Sequence, residues 1–233
     1  MIAVLTDLRR TEYLAATIAG VDSSAPPSER RVIVVDGAKA PSAAIASGWE
    51  VVLSQKPAVA RAGENRWSTW AAFEFAARAR EDLVFLEDDV VGSPGAAARA
   101  VGLRVPDDCA LIMLYAPWGD RWFPWRIWRY RADGFSYCQA LKIPLRTLDE
   151  LVSARCEMEA LRGGGSDDCI RDIGARRDWM VGVHFPGLYQ HVGARSLAAP
   201  HMTLENRVSE AWLGPQEDAR LLTPPLGMPD PYR

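Results

Sequence analysis

The chain has 233 residues, with 27 Lys and Arg against 30 Asp and Glu, a net charge of −3, 48% apolar and 24% charged residues. These values exclude collagen-like, mucin-like and wholly disordered chains, and they give no global basic field for nucleic acid or anionic membrane. No apolar run approaches the roughly 18 residues of a membrane span. The opening Met-Ile-Ala-Val-Leu-Thr-Asp-Leu-Arg-Arg lacks the basic-then-apolar order of a secretory signal, so a cytoplasmic, enzyme-sized protein is expected.

The first apolar run, Ile2 to Leu5, predicts a buried parallel strand. Leu14, Ile18 and Val21 recur at helical spacing, and Gly20 is the expected helix stop. After a polar loop over 23–31, Val32–Val35 and Val51–Leu53 predict two more strands. Arg66–Arg80, rich in Ala and aromatics and free of Gly and Pro, predicts a helix. Leu83–Leu86 and Leu111–Tyr115 predict strands, separated from a strand over 135–143 by a Trp/Arg segment at 117–131. A helix is expected over 145–161 after Pro144, a hinge at Gly163-Gly164-Gly165, a helix from Asp167, and extended pieces at 181–183 and 187–192. The proline-rich stretch 215–233 is expected to be an irregular tail behind a domain over 1–214. Alternating strands and helices favour an α/β fold with a mostly parallel sheet and helices on both faces, whose ligands sit beyond the carboxyl ends of the strands.

Cys109, Cys138, Cys156 and Cys169 form no C-x-x-C pair, so buried free thiols are expected rather than zinc. Three strand ends carry chemistry: Thr6-Asp7, Asp36-Gly37 and Glu87-Asp88-Asp89. The last is the sharpest. Three adjacent carboxylates repel, and a fold tolerates them in water or around a cation, with Mg²⁺ or Mn²⁺ suited to such oxygen ligands.

Phe85-Leu86-Glu87-Asp88-Asp89-Val90 resembles the DxD-type motif of GT-A (Rossmann-like) glycosyltransferases in its Glu-Asp-Asp form. The segment Pro186-Gly-Leu188-Tyr-Gln190-His191-Val-Gly193-Ala-Arg-Ser196 is similar to the Pro-x-Leu-x-Gln-His-x-Gly-x-x-Ser segment of N-acetylglucosaminyltransferase IV-like enzymes. The resemblance implies a metal-dependent, inverting transfer of a hexose or N-acetylhexosamine from a nucleoside diphosphate sugar, UDP-linked, to a hydroxyl. It implies Mn²⁺ or Mg²⁺ on Asp89 and His191, with Glu87, Asp88, Thr6, Asp7, Arg9 and Asp36 as donor contacts. It also implies a general base at the start of a late helix, at Asp167 or, one residue on, Asp168. Ser166 is expected to cap that helix.

Residues 118–131 hold Trp118, Trp122, Trp125 and Trp128 among four arginines (Arg121, Arg126, Arg129, Arg131) and one acid, Asp120. This is the composition of a packed lid with snorkelling arginines, or of an acceptor platform in which rings stack and guanidiniums contact phosphate. On the second reading Trp118, Trp122, Trp125, Arg126, Trp128 and Arg129 meet a glycan or another hydroxyl acceptor, modified DNA included. The rival functions are a sugar nucleotidyltransferase, against which the Gly-free turn Thr6-Asp7-Leu8-Arg9-Arg10 argues, and a non-catalytic carbohydrate- or nucleic-acid-binding module.

Overall fold

A computed structural model describes residues 1–8, 11–37, 39–42, 47–54, 66–115, 126–135, 138–155, 165–185 and 187–192, with backbone alone at Arg66, Arg126 and Trp128. The expected domain boundary at 214, the tail, the hinge glycines 163 and 164, and Cys156 lie outside these residues.

Apolar, β-branched runs form the strands at one end of the sheet: β1 (Ile2–Thr6), β2 (Arg31–Asp36), β3 (Glu50–Ser54) and β4 (Leu83–Glu87). They lie in the order β3-β2-β1-β4 and all run parallel. The sheet continues through β8 (Ala140–Ile143), β6 (Leu111–Met113), β9 (Met180–Phe185) and β7 (Arg126–Arg131), eight strands in all. β8 runs antiparallel to β4 and β6, and β7 antiparallel to β9, while β6 and β9 are parallel. Four of the seven pairings are therefore parallel. A separate two-stranded ribbon pairs β5 (Val90–Gly92) with β10 (Tyr189–His191).

Helices cover both faces because successive strand residues point to opposite sides. On one face Ala3, Leu5, Val32, Val34 and Phe85 pack with α2 (Arg66–Ala79), α4 (Leu145–Ser153) and α5 (Ser166–Arg176) through Phe73, Leu148 and Ile170. On the other, Ile2, Val4, Ile33, Val35 and Leu86 pack with α1 (Thr11–Asp22) and α3 (Ala96–Gly102) through Leu14, Ile18, Ala97 and Ala100. Cys109, Cys138 and Cys169 are buried. Among the described residues no helix is long and apolar enough to cross a membrane.

Several boundaries depart from expectation. Gly20 does not stop α1, which runs two residues further. The Ser23 and Ser24 hydroxyls instead donate to the Gly20 carbonyl, at 2.8 and 3.2 Å, and satisfy the fraying end. Of the helix expected over 145–161, Leu145–Ser153 form α4 and residues 156–161 lie outside the described residues. Of the strand expected over 135–143, Ala140–Ile143 form β8, Phe135 follows a 3₁₀ turn over Ala132–Gly134, and residues 136–137 lie outside the described residues. Residues 126–131 of the Trp/Arg segment, for which no strand was expected, form the edge strand β7. Gly165, rather than Ser166, takes the N-cap of α5. Asp168 returns its carboxylate to the Gly165 N–H at 3.1 Å, the acidic half of a capping box.

Candidate active site

Parallel pairing puts the carboxyl ends of β1, β2 and β4 on one edge, so Thr6-Asp7, Asp36 and Glu87 share it. β8, running the other way, brings its amino end to the same edge. The Glu87 N–H donates to the Gln139 carbonyl at 2.8 Å, and the Cys138 thiol lies 3.6 Å from Glu87 Oε1. β5 follows the acidic turn directly. Because β10 pairs with it antiparallel and sets His191 opposite Val90, His191 lands beside Asp89. His191 Nε2 is 3.0 Å from Asp89 Oδ2, and the Val192 N–H donates to the Asp89 carbonyl at 2.8 Å. The Tyr115 ring lies alongside His191, 6.2 Å between centroids.

The three carboxylates have different neighbours. Asp88 accepts the Thr6 hydroxyl at 2.5 Å. Burial pushes its acid up to about 7, against the pull of that hydrogen bond and helped by the charges of Asp89 and Asp7. Glu87 is pushed up to about 8, by burial first and then by the charges of Asp89, Asp88 and Asp167. Asp89 keeps Oδ1 buried without a hydrogen-bond partner, and His191 does the same with Nδ1.

That pair of orphaned polar atoms tests the fit of a divalent cation. Among the described residues no group of three or more His, Cys, Asp and Glu forms a metal cluster. Mg²⁺ and Mn²⁺ need no such cage, since they keep waters and substrate phosphates as ligands and take one or two from protein. A carboxylate with a free oxygen beside an imidazole fits that requirement.

Asp167 and Asp168, adjacent in sequence, are separated by their tasks. Asp168 holds the helix cap and meets Arg171 at 2.7 Å. Asp167 lies near enough for its charge to raise both Glu87 and Cys138. Its own acid is raised by burial first and by Asp168 second. Ser166 fixes this helix start, its hydroxyl 2.5 Å from that of Thr69 in α2, both fully buried.

Asp36 ends β2 and accepts the Ser54 hydroxyl of β3 at 3.5 Å. Arg9, Trp118, Trp122 and Trp125 lie outside the described residues. Arg126 begins β7 opposite Phe185, at the same edge as Glu87, and Trp128 follows two residues along the strand. Arg129 departs from the expected acceptor rim. Its guanidinium is 3.2 Å from Asp108, which precedes β6, and is drawn toward the far end of the sheet. The residues not anticipated are Thr17, Thr69 and Cys138. Thr17 left a trace in the sequence, a polar residue on the apolar stripe of Leu14, Ile18 and Val21.

No family model matches this chain, and no curated protein matches it. Among solved structures, the galactosyltransferase LgtC in complex with donor and acceptor sugar analogues aligns at 14% identity and TM-score 0.48, over 74% of this chain and 70% of that one. A glycosyltransferase involved in the glycosylation of the major capsid of PBCV-1 aligns at 14% and 0.47, over 85% and 95%. A 4-diphosphocytidyl-2C-methyl-D-erythritol synthase aligns at 11% and 0.45, over 74% and 84%. At these values the likeness assigns neither family nor chemistry.

Proposed function

We propose that this chain is a GT-A-type glycosyltransferase that moves a hexose or N-acetylhexosamine from a nucleoside diphosphate sugar, UDP-linked, to a hydroxyl of a glycan or modified nucleic acid. The observation that carries the proposal is the contact of Asp89 with His191 at the sheet edge where Glu87 and Asp167 converge. Asp89 and His191 would hold Mn²⁺ or Mg²⁺. When bound, that cation offsets the charge developing on the leaving diphosphate.

The chain's own groups divide the rest. Asp36 and Asp7 sit at the ends of β2 and β1, where their carboxylates would accept hydrogen bonds from hydroxyl and amide donors of a nucleoside. Asp88, already engaged by Thr6, shapes the floor. Asp167 is the base: as the acceptor oxygen bonds to the anomeric carbon and the bond to diphosphate breaks, the hydroxyl proton passes to its carboxylate. A pKa raised by burial suits a base that must hold the proton it takes. Attack from the face opposite the leaving group inverts the anomeric centre. Asp168, held by its cap and by Arg171, is not free for this role.

The test is a panel of nucleotide sugars with Mn²⁺. Slow release of nucleoside diphosphate, abolished by chelator, is expected. Release of inorganic pyrophosphate from a nucleoside triphosphate and sugar phosphate would instead identify a nucleotidyltransferase, and binding of glycan with no turnover of any donor a non-catalytic module.

A further inference from the structure

The carbonyls of Asp88 and Val90, on either side of Asp89, converge on one donor. The Thr17 hydroxyl lies 2.8 Å from each. Thr17 belongs to α1 and is 3% exposed. The carbonyl between them, that of Asp89, accepts the Val192 N–H at 2.8 Å. Three consecutive carbonyls of the acidic turn are thus held from two sides, by α1 and by the end of β10.

We propose that Thr17 is a positioning residue that fixes the backbone on both sides of Asp89 and so sets its carboxylate against His191. The inference rests on the reading of Asp89 and His191 as cation ligands. Two arguments carry it. Three adjacent carboxylates repel and favour an opened turn, so a closed turn needs a restraint beyond its own sequence. The restraint is also costly to lose, because a buried carbonyl without a donor keeps its full desolvation penalty. A helical threonine often turns its hydroxyl back to the carbonyl of the preceding turn. Here it reaches out of the helix to two carbonyls of another segment. Valine keeps the shape and removes only the donor, whereas serine keeps the donor.

The experiment compares wild type with Thr17→Val and Thr17→Ser in two readouts. The first is the gain in UDP affinity produced by Mn²⁺ over chelator. Wild type and Thr17→Ser should show the same gain within about twofold, and Thr17→Val should lose at least tenfold of it, with UDP affinity in chelator unchanged. The second is amide exchange of Val192 without metal, which should quicken about tenfold in Thr17→Val beyond any global change. Should Thr17→Val not fold, Thr17→Ala carries the same expectations. A full Mn²⁺ gain in the variant that lacks the hydroxyl overturns the inference, as does unchanged protection at Val192. A wild-type protein with no Mn²⁺ gain overturns the cation reading and, with it, the use assigned to Thr17. That failure is recognised because it precedes any substitution.

Discussion

His191 Nε2 and Asp89 Oδ2 stand 3.0 Å apart although neither residue belongs to the main sheet. They meet because the strand that follows the acidic turn pairs with a strand near the end of the described chain, Val90 opposite His191. The same pairing ties Gln190 to Val91 and Tyr189 to Gly92, so the imidazole is delivered by backbone register rather than by a loop.

Gly92 shows how tightly that ribbon is seated. A Cβ there would lie 3.0 Å from Ala96 Cβ and 3.3 Å from Tyr189 Cε1. Gly92→Val is expected to shift β10 and lower Mn²⁺-dependent nucleotide binding by at least tenfold, whereas Gly102→Ala, with open space around its Cβ, is expected to leave it unchanged. Calorimetric titration of UDP with and without Mn²⁺ checks both.

The two neighbouring aspartates at the start of α5 give a second prediction. Asp167→Asn keeps its shape but accepts no proton, so turnover should fall at least on the order of 10²-fold with donor affinity retained. Asp168→Asn should keep most of the turnover and lower thermal stability by about 1 kcal/mol through the weakened cap and the lost Arg171 pair. Steady-state kinetics beside a melting curve separates them, and the opposite pattern would move the base by one residue.

Stability should depend on pH in a direction set by Glu87 and Asp88. Their acids ionise near 4.5 and 3.8 in the ordinary case, and in the fold burial raises them to about 8 and about 7. Between these limits the folded chain binds protons that the unfolded chain has released. The stability these two groups contribute is therefore fully present below about pH 4 and is lost as pH rises through 7 and 8. In chelator, the melting temperature should fall from pH 5.5 to pH 8.5, and Glu87→Gln should flatten the slope. A melting temperature that rises over this interval would contradict the buried carboxylates.

The strands with four or more apolar residues in a row were legible in the sequence, because burial on both faces leaves a run that turns and helices rarely show. Leu83–Leu86 and its three following acids are the clearest case. β5 was not legible, since three residues carry no periodicity and its partner lies about a hundred positions away. β7 was hidden for a different reason. Arg126, Trp128 and Arg129 read as part of a packed lid or an acceptor platform, yet antiparallel pairing with β9 holds them as an edge strand. In the site, Glu87, Asp88 and Asp89 stood out by type and position at a strand end, whereas His191 and Asp167 were named only through the family resemblance. Thr17 and Ser166 did not stand out, because a hydroxyl's partner is set by tertiary packing. The assignment of Ser166 to the cap failed for that reason: its hydroxyl is held by Thr69 of α2.

The most direct measurement is the binding of UDP to wild type, Asp89→Ala and His191→Ala, each with Mn²⁺ and with chelator, beside a circular dichroism spectrum. Wild type should bind UDP at least tenfold more tightly with Mn²⁺. Both variants should keep the spectrum and lose that gain, Asp89→Ala completely. A variant with intact fold that binds UDP as tightly as wild type, with the same dependence on Mn²⁺, would contradict a cation held by Asp89 and His191.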